Sequence, residues 1–204
     1  MDIKKVGVIG AGQMGSGIAH VFALAGYDVV LTDITDEALD RGMKQIRDGL
    51  DRQLARDKIT AGQRDAALTR IAPGTEIAPA GDTDLVIEAA TESEQLKHQI
   101  FKSLAPHLRD NTILTSNTSS ISITRLASGT DRPERFMGFH FMNPVPVMQL
   151  VELIRGIATS DETVQTMQGV VEKLGKTATS AEDFPAFIVN RILMPMINEA
   201  IYTL

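Results

Sequence analysis

The sequence predicts an α/β fold in which helices cover both faces of a doubly wound, mostly parallel sheet. Short β-branched and apolar runs alternate along the chain with longer amphipathic segments of helical period, which is typical of repeated strand–helix–strand units. The first of these units, residues 4–33, has a glycine-rich turn between its strand and its helix. With 204 residues, the chain is long enough for one large domain and the beginning of a second.

The first unit has the parts of a dinucleotide-binding turn in the expected order. A β-branched strand at residues 6–9 meets GAGQMG at 10–15, which has the spacing G-x-G-x-x-G. An apolar helical segment follows, and a second strand at 29–31 leads to Asp33. A strand, a tight turn, a helix, a strand and an acid together are more specific than the glycines alone.

Each of these residues has a physical reason to be there if the ligand is a dinucleotide. Gly10 allows the sharp turn, Gly12 lets the backbone approach a pyrophosphate, and Gly15 lets the helix pack close to the strand. The free N–H groups at the helix start face the phosphates, and Asp33 accepts hydrogen bonds from the adenosine ribose. No Arg or Lys closely follows Asp33 to hold a 2′-phosphate, so NAD is favoured over NADP. The alternative is a glycine-rich turn that binds no ligand.

The other elements follow from hydrophobic period and from turn residues. We predict helices at 36–56, 60–71 (stopping before Pro73), 93–107 and 161–174, and strands at 85–87, 112–115, 136–141, 149–154 and 177–180. A last helix between Pro185 and Leu204 is apolar over most of its circumference, and Pro195 should kink it or remove one of its hydrogen bonds. Because such a helix is normally buried, we expect it to pack on a partner chain, or the chain to be a shortened form of a longer protein.

Composition excludes several classes of function. The chain is 43% hydrophobic and 23% charged, with a net charge of −6 and no concentrated basic stretch, which argues against nucleic acid or an anionic membrane as a partner. It contains no cysteine, so disulfides and thiolate catalysis are excluded. Neither a signal-peptide pattern nor a long apolar run is present, and we expect a cytoplasmic protein.

Polar residues cluster after one predicted strand and within another. SNTSS at 116–120 lies at the carboxyl end of a parallel strand, where such sheets bind ligands, although serine and asparagine are equally common as caps. His140 lies in an apolar strand, and a Pro-rich loop joins that strand to the next, which carries Glu152. Histidine is the usual base for oxidising an alcohol, and a neighbouring carboxylate would fix its tautomer. The alternative is a buried histidine bonded to a backbone carbonyl. The remaining histidines are predicted to lie at the surface: His20, His98 and His107.

These residues belong to motifs that resemble a known family. GAGQMG at 10–15, EAATE at 88–92, SNTSS at 116–120, HFMNPVPVMQLVE at 140–152 and FIVNR at 187–191 are similar to the L-3-hydroxyacyl-CoA dehydrogenases, particularly the bacterial 3-hydroxybutyryl-CoA dehydrogenases. The resemblance covers the whole chain. It implies a Rossmann-type NAD-binding domain at 1–183, and at 184–204 the start of an all-helical C-terminal domain whose remainder is absent. It also implies a homodimer through the helices at and beyond residue 184.

The resemblance assigns a role to each matched residue. His140 is the general base, Glu152 is its dyad partner, and Ser119 and Asn190 hydrogen-bond the substrate near the reacting oxygen. The implied NAD-binding residues are Gly10, Gly12, Gln13, Met14, Gly15 and Asp33 on the ADP side, and Glu92, Lys97, Ser119 and Asn143 on the nicotinamide side. Lys58 lies at a corner where a basic side chain could meet a substrate phosphate, and no metal site is predicted.

The implied reaction is the NAD-dependent oxidation of an (S)-3-hydroxyacyl-CoA to the 3-ketoacyl-CoA, and its reverse, with 3-hydroxybutyryl-CoA as the expected substrate. The sequence departs from the family pattern at Met142, where a second aromatic is frequent, and at Ala186, where glycine is frequent. One alternative is a dehydrogenase of another 3-hydroxyacyl-CoA, such as a dicarboxylic one. Another is a non-catalytic NAD(H)-binding structural or regulatory relative. Dehydrogenases of free 3-hydroxy acids share a similar glycine turn but use a catalytic lysine and lack the HFMNP pattern.

Overall fold

The computed structural model describes residues 1–204, and its centre is a single eight-stranded sheet. The strands are β1 (Lys5–Ile9), β2 (Asp28–Thr32), β3 (Ile71–Gly74), β4 (Leu85–Glu88), β5 (Ile113–Ser116), β6 (Phe136–Phe141), β7 (Leu150–Arg155) and β8 (Thr177–Glu182). The helices are α1 (Gln13–Leu24), α2 (Asp36–Leu54), α3 (Ala61–Thr69), α4 (Ala78–Gly81), α5 (Glu94–Leu104), α6 (Ile123–Ser128), α7 (Asp161–Lys173) and α8 (Val189–Tyr202). Short 3₁₀ helices lie at Ala105–His107 and Pro133–Arg135.

The strand order fixes where a ligand can bind. The order across the sheet is β3-β2-β1-β4-β5-β6-β7-β8, and only β6 and β7 pair antiparallel. The chain winds outward from β1 to β3 and then returns to the other side of β1 with β4. The carboxyl ends of β1 and β4 therefore flank the switch point at which doubly wound sheets bind ligands. This topology confirms the predicted α/β fold with its mostly parallel sheet.

Apolar side chains fill both faces of the sheet. One buried cluster includes Phe22 of α1 with Phe139 and Phe141 of β6, and a second includes Phe101 of α5 and Phe136 of β6. Every residue of β4 and of β6 is buried. Strands covered on both faces are expected to be apolar throughout, which explains why they appear in the sequence as continuous apolar runs.

Two sequence predictions differ from the structure beside the first helices. The helix predicted at 60–71 ends at Thr69, and β3, which includes Pro73, was missed. Proline is tolerated there because β3 is an edge strand, so one side of its backbone needs no partner. His20 was predicted at the surface but is only 2% exposed, because α1 packs against α2 as well as the sheet. Burial lowers the pKa of His20, and its Nε2 lies 3.2 Å from Gln53 Oε1.

The last helix, α8, differs from the other α-helices in having no buried residue. It begins at Val189, after two residues in the left-handed region, Ala186 (φ 69°) and Phe187 (φ 51°). Apolar side chains along it are largely solvent-exposed: Ile192, Met196, Ile197, Ile201 and Tyr202. No helix in the fold has both the length and the apolar character that crossing a bilayer requires.

Candidate active site

The glycine turn joins β1 to α1 and has the geometry that its sequence predicts. Gly10 has φ of 102°, which favours glycine. A Cβ on Gly15 would lie 1.7 Å from the carbonyl oxygen of Gly10, so only glycine lets the helix approach this closely. A Cβ on Gly12 would meet nothing within 4 Å, because Gly12 borders open space at the start of α1. No side chain caps this helix, so its first N–H groups are available to an anion.

These features fit the pyrophosphate of a dinucleotide, and the neighbouring cleft fits an adenosine. A cavity of about 350 Å³ adjoins Gly12 and is lined by Asp33 together with apolar side chains, among them Ile34, Ile77 and Leu96. Asp33 accepts hydrogen bonds from the backbone N–H groups of Ala11 (2.6 Å) and Ile34 (2.7 Å). The carboxylate therefore holds the glycine turn through the N–H group of Ala11, and it also borders the cavity. Exposed Gln13 and half-buried Met14 form the first turn of α1.

A histidine–glutamate pair spans β6 and β7 near the same end of the sheet. His140 and Glu152 are direct cross-strand neighbours, and His140 Nδ1 lies 2.7 Å from Glu152 Oε2. His140 is 6% exposed and Glu152 is fully buried. An ionised carboxylate only accepts hydrogen bonds, so in the neutral imidazole Nδ1 carries the proton and Nε2 carries the lone pair. The two strands that a Pro-rich loop joins in the sequence thus pair so that His140 and Glu152 are in contact.

The second oxygen of Glu152 binds the chain just before and at the start of α8. Glu152 Oε1 accepts hydrogen bonds from the N–H groups of Ile188 and Val189, both at 2.9 Å. Burial raises the pKa of Glu152, but the hydrogen bonds from His140 and from these two N–H groups outweigh it, so the net pKa lies below its ordinary value. Glu152 is therefore an anion with both oxygens occupied.

Ser119 lies on the opposite side of the imidazole from Glu152. Its Oγ is 3.1 Å from His140 Nε2, and its carbonyl oxygen accepts a 3.4 Å hydrogen bond from Asn190 Nδ2. The structure thus brings together the four predicted catalytic residues, from the β5–α6 loop, β6, β7 and α8. A neutral imidazole with Nδ1 bonded to a carboxylate and Nε2 facing a hydroxyl has the geometry that general base catalysis requires.

Glu92 holds the loop that carries Ser119. Its Oε1 accepts hydrogen bonds from Thr118 Oγ1 (2.6 Å), Ser119 N (2.9 Å) and Ser120 Oγ (3.2 Å). Burial raises the pKa of Glu92. These hydrogen bonds and nearby Lys97 lower the pKa by a larger amount, so it lies below its ordinary value. Glu92 keeps 41% of its side chain exposed, so part of the carboxylate remains open to solvent.

Lys97, which is predicted to line the nicotinamide side of the pocket, is almost completely buried. It is 1% exposed, and its Nζ donates to both oxygens of buried Glu88 at 2.8 Å. Glu88 also accepts from Ser116 Oγ at 2.6 Å, at the end of β5. Glu92 Oε2 lies 3.5 Å from the ammonium, so the buried lysine also contacts the carboxylate that holds the Ser119 loop. The ion pair could not be predicted because Glu88 reads as the end of an apolar strand.

Lys58 lies on a basic groove that sequence reasoning had only partly identified. A cleft of about 440 Å³ is lined by Arg52, Arg56 and Lys58 on one side and by the loop after β6 on the other. A neighbouring cleft of about 290 Å³ is lined by Gln13 and exposed Asn143, and it shares Arg52 and Pro144 with the basic groove. The two clefts connect the start of α1 with three cations. Arg52 lies in the last turn of α2, and Arg56 lies just after the helix ends.

Comparison with known proteins gives one family. Residues 5–184 match the family model described as "3-hydroxyacyl-CoA dehydrogenase, NAD binding domain". The chain is 59% identical over 202 residues to a 3-hydroxybutyryl-CoA dehydrogenase of Bradyrhizobium diazoefficiens, a match that covers 99% of this chain and 69% of that protein. A probable 3-hydroxybutyryl-CoA dehydrogenase of Bacillus subtilis is 48% identical, with 99% and 70% covered. The crystal structure of (S)-3-hydroxybutyryl-CoA dehydrogenase from Ralstonia eutropha superposes with a TM-score of 0.95 at 48% identity, covering 98% of this chain and 70% of that one.

Proposed function

The chain belongs to the family of NAD-dependent 3-hydroxyacyl-CoA dehydrogenases, and from that premise we propose that it oxidises (S)-3-hydroxybutyryl-CoA to acetoacetyl-CoA, and catalyses the reverse, with His140 as the general base. The observation that carries the proposal is the position of His140 between two partners. Its Nδ1 is 2.7 Å from Glu152 and its Nε2 is 3.1 Å from Ser119 Oγ. The proposal includes a cytoplasmic location.

In the oxidation, Nε2 of His140 accepts the proton of the substrate hydroxyl. Bound NAD would supply the hydride acceptor for the carbon that bears this hydroxyl. Glu152 stabilises the imidazolium as it forms, because its carboxylate is buried and already bonded to Nδ1. In the reduction, the same imidazolium returns its proton to the oxygen of the substrate.

Ser119 and Asn190 orient the reacting oxygen. The hydroxyl of Ser119 faces Nε2, so a substrate oxygen next to His140 comes within reach of the same hydroxyl. Asn190, on α8, donates a hydrogen bond to the carbonyl oxygen of Ser119 and so holds the residue whose hydroxyl faces His140. Positioning of this kind contributes to the rate because the reacting atoms must be close and aligned.

The cofactor contacts divide between the two sides of the switch point. The turn at 10–15 and Asp33 hold the ADP half, with Gln13 and Met14 supplying backbone groups at the start of α1. Glu92 and Asn143 border the nicotinamide side with Ser119. Lys97 contributes there through its ion pairs with Glu88 and Glu92.

The basic groove binds the CoA phosphates in this proposal. The chain has a net charge of −6, so an anionic thioester needs local cations, and Arg52, Arg56 and Lys58 line one cleft. The adjoining cleft beside Asn143 gives the pantetheine arm a path from this groove.

A homodimer through α8 and any helices beyond it is supported by the exposed apolar side chains of α8, and light scattering would measure the mass of the particle.

The test is NADH absorbance with acetoacetyl-CoA as substrate, compared with free acetoacetate and with a dicarboxylic 3-ketoacyl-CoA. We expect turnover with acetoacetyl-CoA, little with the free acid, and a lower kcat/KM with the dicarboxylic ester. A higher kcat/KM for the dicarboxylic ester would reassign the substrate within the same family. NADH binding without turnover of any thioester would favour the non-catalytic alternative and contradict the proposal.

A further inference from the structure

Asp183 joins two chain segments that both end on the active-site histidine. It follows β8 directly, and its carboxylate accepts hydrogen bonds from Ser122 Oγ (2.7 Å), Ile123 N (3.0 Å) and Thr124 N (2.8 Å). These groups form the N-terminus of α6, about sixty residues earlier in the chain. Asp183 therefore caps a helix to which it is not adjacent in sequence.

The first joined segment is the loop from β5 to α6, which carries Ser119. Glu92 holds this loop at Thr118, Ser119 and Ser120, and the start of α6 is its other anchor. With Ser119 Oγ 3.1 Å from His140 Nε2, the position of the loop determines the hydrogen bond on the ε side of the ring.

The second segment runs from Asp183 to Asn190. It passes through Ala186 and Phe187 in the left-handed region and then presents the N–H groups of Ile188 and Val189 to Glu152. Glu152 in turn bonds His140 Nδ1, so this segment determines the hydrogen bond on the δ side of the ring. The two segments meet again where Asn190 bonds the carbonyl oxygen of Ser119.

We propose that Asp183 is a positioning residue for the 3-hydroxyacyl-CoA dehydrogenase reaction: by clamping α6 to the segment before α8, it aligns Ser119 and Glu152 on the two sides of the His140 ring. This role rests on the proposed function of His140 as the base. Asp183 lies outside the reacting atoms and acts through Ser119 and Glu152. Without its carboxylate, both partners of the imidazole lose an anchor at once, and the alignment that favours the Nδ1–H tautomer weakens.

The test compares Asp183→Ala and Asp183→Asn with Ser160→Ala as a matched control. Ser160 caps α7 by accepting a hydrogen bond from Thr163 N, so the control removes a cap of another helix with no link to His140. The readouts are the ¹⁵N shifts of the His140 ring, assigned by comparison with His140→Gln, and the kinetics of acetoacetyl-CoA reduction by NADH.

In the parent we expect the Nδ1–H tautomer. In Asp183→Ala we expect a mixture of tautomers and a fall in kcat on the order of 10²-fold, with the KM for NADH unchanged because the glycine turn is not attached to Asp183. Asp183→Asn keeps an acceptor for the N–H groups, so it should recover part of kcat and of the parental tautomer. Ser160→Ala should lower Tm and leave both readouts at parental values.

A parental tautomer in Asp183→Ala, or in Asp183→Asn if the alanine variant does not fold, together with a kcat no lower than that of Ser160→Ala, would overturn the proposal. So would equal changes in Ser160→Ala. If the parent turns over no thioester while Asp183→Ala still shifts the tautomer, the proposed function fails but the structural coupling through Asp183 stands.

Discussion

The two sides of the switch point consist of different kinds of chemical group, backbone on one side and side chains on the other. On the proposed cofactor side, residues 10–15 offer backbone N–H groups that no side chain caps, and Gly12, which lacks a side chain, borders open space. On the proposed reacting side, the side chains of His140, Glu152 and Ser119 come together from separate segments. Substitutions that add atoms should therefore disturb the cofactor side, and substitutions that remove functional atoms should disturb the reacting side. Each kind of substitution should leave the function of the other side unchanged.

The largest effect is expected for His140→Gln. Removing the base should lower kcat for acetoacetyl-CoA reduction by about 10²–10⁴-fold, which is the range that a positioned general acid–base group contributes. NADH affinity, measured by fluorescence titration, should stay at the parental value. His107→Gln, in an exposed 3₁₀ helix, is the control. A near-parental kcat in His140→Gln would end the assignment of the base.

Gly15→Ala tests how closely the cofactor side is packed. The added Cβ would lie 1.7 Å from a backbone oxygen, so we expect a loss of stability at or above the upper end of about 1–3 kcal/mol, measured by urea unfolding. Gly169→Ala is the matched control, since a Cβ there, inside α7, meets nothing within 4 Å. It should raise stability by roughly 0.5–1 kcal/mol. Equal stability of the two variants would contradict the close approach of α1 to β1.

Gly12→Ala separates binding from folding on the same turn. Its Cβ meets no protein atom, so the free energy of unfolding should change little. A pyrophosphate bound at the start of α1 would meet the new methyl group, and overpacking of about 1–3 kcal/mol corresponds to roughly a ten- to hundredfold rise in the Kd for NADH. Unchanged NADH affinity would move the pyrophosphate away from Gly12.

The smallest effect concerns the dependence of stability on pH. The pKa of folded Glu152 lies below its ordinary value of 4.5, so its contribution to stability is fully present above that pH and is lost as the pH falls through the folded pKa. Asp183 behaves in the same way. Burial raises its pKa, but the hydrogen bonds from Ser122, Thr124 and Ile123 lower the pKa by a larger amount. Between pH 7 and pH 3, the free energy of unfolding measured with urea should therefore fall more steeply for the parent than for Glu152→Gln. Parallel curves would contradict this prediction.

Local sequence patterns predicted the sheet, the glycine turn and the meeting of His140 with Glu152. They succeeded because strand period and turn chemistry are local, and because two strands joined by a short loop pair in a limited number of registers. The edge strand β3 was missed because Pro73 argues against a strand everywhere except at an edge.

Contacts between distant segments could not be predicted from the sequence. The bonds from Asp183 to α6 link positions far apart in the chain, and a lone aspartate before a proline-containing turn reads as an ordinary turn residue. His20 was misplaced because hydrophobic period predicts only one buried face of a helix, and α1 is covered on two. The basic groove was missed in part because it requires α2 and the loop after β6 to be adjacent.

The ion pair between Glu88 and Lys97 constrains how this sequence can diverge. Both residues are buried, and losing one partner of such a pair destabilises a protein by about 3–5 kcal/mol, whereas replacing both with apolar residues is often neutral. Single substitutions at either position should therefore be removed by selection, while joint replacements persist. Among homologues that share this fold, positions 88 and 97 should change together or not at all.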